Sequence, residues 1–365
     1  MDKRFFNLDF LRGSAALFVV IWHYRHFFYE SNVLSDNFNA EKLPLYWILQ
    51  LPYNYGGLAV EFFFCLSGFI FFQYYFKKIL LKEIGLKEFF LRRFFRLYPV
   101  FIFSLLLTVL LIFFFQSSND SFFVYKYNDF KHFILNIFLV HQWGFQDGWS
   151  FNGPSWSISV EWFLYFLFFF AVSLRSNIFV ISLAIIFLGF LLFPLNSSLG
   201  RGVILFFFSS FIWYLVNNET ISQSYKNLLV FLYIIFSAFF IFFLPSLISV
   251  IYPSLTIFVN DKSLYELFFI VGFVPSIVYF GAILKFKTSY FNNFCDYFGQ
   301  LSYPIYLFHF PIQLFLVSFG FISDPYSISS LLIYLASVFL ISFLFSEFIE
   351  KPLTDFLKNK FLSKK

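Results

Sequence analysis

Charge is scarce in this sequence: only 12% of its 365 residues are Asp, Glu, Lys or Arg, and 25 basic residues against 20 acidic ones leave a net charge of +5. That balance names no partner, and nothing in the chain resembles a nucleic-acid-binding module, so a nucleic-acid partner is not expected. Cysteine is scarcer still. Cys65 lies in an apolar run and Cys295 in a polar connection, without metal-ligand spacing and as poor candidates for a disulfide, which argues against zinc and thiol redox chemistry; no metal is expected. Internal repeats, linkers, low-complexity tracts and an appended soluble domain are missing as well. The first apolar run is too long, and is interrupted by Arg12, to read as a cleavable signal peptide, so it is expected to stay as the first span.

What fills the chain instead is apolar: 60% hydrophobic and 27% aromatic residues, with 69 Phe. That composition belongs to a polytopic membrane protein, and the Phe excess reads as coding bias. Ten runs have membrane-spanning length: 10–29, 56–76, 97–115, 155–174, 177–194, 202–217, 227–249, 265–284, 304–321 and 328–347, the sixth being the shortest. The expected fold is an all-α helical bundle of about ten transmembrane helices, one membrane domain over residues 1–365. An even count puts both termini on one side. Eighteen Lys and Arg then fall on the side of the termini and six on the other, which makes the termini cytoplasmic. Segments 30–55 and 116–154 become outer loops, the second holding His132, His141, Trp143 and Trp149; such residues can face a polar acceptor or simply anchor the interface.

The first run carries Arg12 and His23. Eleven residues make about three turns, so the two project from one helix face about 16 Å apart along the axis. A cation and an imidazole on one stripe of a membrane helix can line a passage, the first holding an anionic group and the second moving a proton. A snorkelling anchor and a packed interhelical histidine are the plainer alternatives. The second run adds Glu61 near its outer end and Ser67-Gly68 midway, after a Gly56-Gly57 pair able to break the helix; His23 is the natural partner for Glu61. The segment LRRFFRLYP holds Arg92, Arg93, Arg96 and Tyr98. Its guanidinium forks suit phosphate oxygens or, equally, lipid headgroups.

The fourth run opens NGPSWSISVEW, with Trp156, Ser157 and Glu161 in its outer third. Glu161 is expected at the depth of Glu61 and His23. In LSYPIYLFHFPIQLF, Tyr303, Tyr306 and His309 share a face beside Pro304 and Pro311, and a proline-disturbed ladder is tolerated where it lines a cavity. The chain ends SEFIEKPLTDF, where Glu347 and Glu350 can simply balance lysines.

Arg12 followed by ten residues and His23, then GGLAVEFFFCLSGF, RRFFRLYP, SWSISVEW, LSYPIYLFH and a terminal IEKP, in this order over nearly the whole chain, resemble the membrane acyltransferase family 3, which includes O-antigen and exopolysaccharide O-acetyltransferases. The resemblance implies a multi-pass enzyme of the bacterial inner membrane. It would move an acyl group, usually acetyl, from cytoplasmic acyl-CoA to a hydroxyl of a surface polysaccharide or lipid-linked glycan. Position by position, Arg12 and His23 match the family's arginine–histidine pair, Arg93 and Arg96 its basic motif, and Glu161 the acid of its Trp-Ser motif. The chain resembles the stand-alone type that carries no fused hydrolase-like domain.

The roles that follow are His23 as base, with Arg12, Glu61 and Glu161 completing the catalytic set, Glu61 or Glu161 holding its tautomer. Arg92, Arg93 and Arg96 would hold the CoA phosphates, with Ser67 and Tyr98 along the donor's path, and Trp156, Ser157, Tyr306 and His309 would line the cavity on the acceptor side. An acyl-histidine, or Ser67 as nucleophile, is the competing route. A glycan-precursor transporter without acyl transfer is the competing function. The acceptor sugar, the acyl chain and the oligomeric state are not readable from the sequence.

Overall fold

Every one of the ten apolar runs falls on a helix in the computed structural model, which describes residues 4–30, 33–118, 122–251, 262–284 and 289–362. The basic residues counted at positions 3, 285, 287, 364 and 365 lie outside the described residues. The helices are α1 (Phe6–His23), α2 (Tyr46–Tyr55), α3 (Ala59–Tyr74), α4 (Phe76–Leu80), α5 (Leu86–Ser118), α6 (Phe130–Ile137), α7 (Trp156–Ser173), α8 (Ile178–Leu192), α9 (Ser197–Asn217), α10 (Gln223–Ile251), α11 (Lys262–Ile283), α12 (Ser289–Ser318), α13 (Ile328–Phe345) and α14 (Lys351–Leu362). A two-residue strand pair, Tyr29–Glu30 with Val33–Leu34, is the one sheet among the described residues. Six helical stretches are long and apolar enough to cross a membrane, Tyr46–Tyr74, Leu86–Gln116, Gly153–Ser173, Ser197–Asn217, Tyr290–Ser318 and Ile328–Leu362; Ile178–Leu192 and Ile270–Ile283 are shorter apolar helices. The protein is a polytopic membrane helical bundle.

The Gly56-Gly57 pair makes a tight turn of 3₁₀ helix, Gly56–Leu58, between α2 and α3. Part of the expected outer loop 30–55 is thus helical, because Tyr46–Tyr55 continues an apolar pattern up to the glycines. At 33 residues α5 is about 50 Å long, against roughly 30 Å of hydrocarbon. Its first turns, with Lys87, Glu88, Arg92, Arg93 and Arg96, therefore extend past the apolar core.

The chain divides into two compact units. The first comprises residues 1–8, 61–83 and 167–292, the second residues 9–60, 84–166 and 293–365. In the first, a Cβ on Gly68 of α3 would stand 2.2 Å from the carbonyl oxygen of Phe206 on α9, so only glycine permits that crossing. In the second, a Cβ on Gly299 of α12 would meet Asp9 of α1 at 2.7 Å, and α14 packs on α5, with Phe361 against Phe95.

Three helix-interior prolines show how the sequence tolerates broken ladders. A proline has no N–H, so the carbonyl four residues earlier loses its helical donor. For Pro311 that carbonyl is Leu307, which accepts from Asn152 Nδ2 at 2.8 Å. For Pro275 it is Val271, which accepts from the Tyr233 hydroxyl at 2.5 Å. For Pro99 it is Phe95, which accepts from Thr354 Oγ1 at 3.3 Å. Each freed carbonyl is satisfied by a side chain of another helix or loop, as a buried main-chain acceptor requires. Asn152 is buried at 1% exposure, so Asn152→Ala should leave Leu307 unsatisfied and cost about 1–3 kcal/mol. Thermal unfolding of the purified protein reads that loss, and an unchanged midpoint would contradict it.

Candidate active site

The polar face of α12 organises the second unit. Tyr303, Tyr306, His309 and Gln313 recur at three- and four-residue spacing and line one side of the helix. Each is held by a different neighbour. The Tyr303 hydroxyl donates to Leu97 O of α5 at 2.8 Å. Tyr306 donates its only hydroxyl proton to Pro154 O, so the 2.8 Å contact with Ser157 Oγ has serine as donor. Gln313 Nε2 donates to His23 O at 3.1 Å, capping a carbonyl exposed where α1 ends in a turn of 3₁₀ helix, Tyr24–Phe28.

Arg12 and His23 both lie on α1, and His23 is its last residue. The His23 ring packs 4.7 Å from His309, 4.9 Å from His26 and 4.6 Å from Trp22, centroid to centroid. His23 Nδ1 stands 2.9 Å from Val19 O. A peptide carbonyl only accepts, so the proton sits on Nδ1 and the neutral ring presents Nε2 as its lone pair. This corrects the expectation that Glu61 or Glu161 sets the tautomer. The carbonyl one turn back on the same helix does so, using its second lone pair.

Arg12 Nε donates to Gly299 O at 3.0 Å, and its Nη2 pairs with Asp9 at 3.1 Å. Glu161 lies closer to the arginine end than expected. Its carboxylate accepts from Tyr165 at 2.5 Å, and it shares an electrostatic neighbourhood with Tyr303, Arg93 and Arg96. Asn152, Gly153, Pro154 and Ser155, which lead into α7, are buried in the protein. Ser157 meets Tyr306, and Glu161, one turn on, comes level with Tyr303 one turn back on α12. Trp156 packs edge to face on Trp149 at 6.2 Å.

The three arginines differ. Arg92 is paired with Glu88 one turn earlier at 2.7 Å, Arg93 is buried and Arg96 is exposed. Tyr98 stacks on Phe94 at 4.3 Å. Glu350, in a one-turn π-helix at Ser346–Glu350, lies in the field of Arg96 and Arg12, so it is more than a counter-charge for nearby lysines. Glu347 does pair with Lys351.

Glu61 lies in the first unit and takes Arg201 of α9 as its partner at 2.7 Å, in place of the histidine expected. Ser67, one turn and a half along α3, is half-buried. The Glu61 side chain is 2% exposed, and stripping a buried ion of its partner costs about 3–5 kcal/mol. Arg201→Met should therefore lower thermal stability sharply, and adding Glu61→Gln should restore much of it. A single variant as stable as the parent would contradict this account.

The segment 122–155 is held by its own polar groups. Asp129 caps α6 and accepts from His132 Nδ1 at 2.9 Å, while His132 Nε2 accepts from the Asp147 amide at 3.1 Å. His132 is thereby structural, and its hydrogen bonds hold the Asp129 carboxyl below the usual range. Sequence reasoning missed His26, Gln313 and Asn152. The first two had a readable signal, three residues after His23 and four after His309, on the same helical faces.

No curated protein and no solved structure matches the chain. A family model described as an acyltransferase domain, that of the acyltransferase 3 family, matches residues 5–347. The match spans both ends of the polar face, from the arginines of α5 to the histidines of α1 and α12, and the chain therefore belongs to the acyltransferase 3 family, as a multi-pass membrane acyltransferase.

Proposed function

We propose that this enzyme transfers an acyl group, acetyl in the first instance, from cytoplasmic acyl-CoA to a hydroxyl of a cell-surface polysaccharide or lipid-linked glycan on the far side of a bacterial inner membrane. The supporting observation is the tautomer of His23: with Nδ1 tied to Val19 O, Nε2 is the nitrogen free to take a hydroxyl proton. Arg93 and Arg96 would hold the donor's phosphates, the charged, planar fork of each suiting phosphate oxygens. Arg12, about 16 Å from His23 along α1, would grip the donor further along. The acyl thioester would reach His23 past Tyr303 and Tyr306.

At His23 the acceptor oxygen attacks the acyl carbon as its proton passes to Nε2; the carbon–sulfur bond then breaks, and the imidazolium returns the proton to the departing thiolate. Glu161, among the arginines, would orient the donor end, while Ser157 and Trp156 would line the acceptor's approach. Glu61, held by Arg201, would support α3, where Ser67 lies. Deleting the gene and comparing the acyl content of envelope polysaccharides by mass spectrometry tests the reading: one acyl increment should vanish from one glycan. An unchanged acyl profile would refute it.

A further inference from the structure

His309 is fully buried and unaccounted for by the transfer chemistry above. Its Nδ1 lies 2.5 Å from Tyr306 O; that carbonyl can only accept, so Nδ1 carries the proton and Nε2 the lone pair. This Nε2 is buried and has no hydrogen-bond partner among the described residues. An acceptor left unmade in such a place is costly and calls for an explanation. The neighbouring ring, His23 at 4.7 Å and a 41° tilt, is in the same tautomer by the same device, a bond from Nδ1 to its own helix. Two imidazoles thus stand side by side with two acceptor nitrogens. Neither can satisfy the other, since neither Nε2 has a proton to give.

His26, 4.9 Å from His23, adds no donor to the pair: its one N–H is engaged by the Gln313 side chain, and its Nδ1 is buried and unpartnered. What the pair lacks is two O–H donors a few ångströms apart. A single alcohol supplies one. Adjacent hydroxyls on one sugar ring supply both, with one proton directed to each nitrogen.

We propose that His309 Nε2 accepts a hydrogen bond from the hydroxyl next to the one acylated, so that the acceptor is recognised as a vicinal diol. This rests on the reading of His23 as the base. The acylated oxygen gives its proton to His23; its neighbour keeps its proton and serves only to hold the ring in place. His309 is therefore a binding residue that selects the acceptor class and the position acylated.

The test uses the purified full-length protein, labelled acetyl-CoA and envelope glycan from the deletion strain, with cyclohexane-1,2-diol and cyclohexanol as competitors. The diol should inhibit at a concentration about tenfold lower than the mono-ol, the worth of one net hydrogen bond. His309→Phe should bring that ratio to one, and His309→Gln, which keeps an acceptor atom, should retain most of it. Equal inhibition by both alcohols in the parent protein, or none by either, would overturn the proposal and leave a water as the partner of His309. Should His309→Phe fail to fold, the parent's ratio and that of His309→Gln still decide. If the parent transfers no label to the glycan at all, the fault lies with His23 as base and with the proposed reaction, a different result from transfer without diol preference.

Discussion

His23→Ala is expected to lower acyl transfer by a factor of about 10²–10⁴, the usual contribution of a positioned general base, with little change in the KM for acyl-CoA. The reasoning is geometric. The ring is buried, its tautomer is set by Val19 O, and it sits at the end of α1 against His309. Its removal takes away the proton acceptor without touching the arginines of α5. The neighbouring α1 residues Val19 and Val20 are fully buried and keep the helix packed, so the variant should be made and should retain the parent's elution profile in detergent. The measurement is release of free CoA in the presence of glycan. A variant that turns over at the parent's rate would remove His23 from the reaction. The same assay without acceptor addresses the covalent route: direct transfer predicts no labelled protein, whereas an acyl-histidine or acyl-Ser67 would retain label after quenching.

The second large effect is expected at the donor. Arg93→Gln and Arg96→Gln should each raise the KM for acetyl-CoA by about 10- to 100-fold, the equivalent of one charged hydrogen bond of roughly 1.5–3 kcal/mol. Arg92→Gln should do much less, because Arg92 is engaged with Glu88 on its own helix. The discriminating control is S-acetyl-pantetheine, which lacks the nucleotide phosphates. Parent and variants should use it equally poorly, since the missing guanidinium has nothing to hold. Equal KM values for acetyl-CoA in parent and variants would assign the arginines to lipid headgroups.

These two sites were legible in the sequence to different degrees, and the difference is physical. Arg12 and His23 share one helix, so their spacing and common face follow from 3.6 residues per turn, and α1 contains both. The ten apolar runs were equally readable, because a hydrocarbon solvent forces hydrophobicity to persist for a helix length. Partnerships between distant segments were not. Glu61 finds Arg201, Leu307 finds Asn152 and His23 finds His309 only once helices pack, and periodicity carries no information about which helix is the neighbour. Glu161 is alike: its turn on α7 follows from helical periodicity, whereas its nearness to Tyr303 of α12 depends on packing. The group that holds the His23 tautomer is likewise not legible: a carboxylate is the expected partner, and a main-chain carbonyl one turn back, Val19 O, takes that place.

The central claim is that donor and acceptor enter from opposite faces and meet at His23. It is tested most directly in sealed vesicles holding the enzyme in one orientation, with labelled acetyl-CoA confined to the arginine side and deletion-strain glycan to the other. The account predicts labelled glycan on the far side and unlabelled CoA retained on the near side. Label reaching the glycan only when both substrates share one compartment would contradict it.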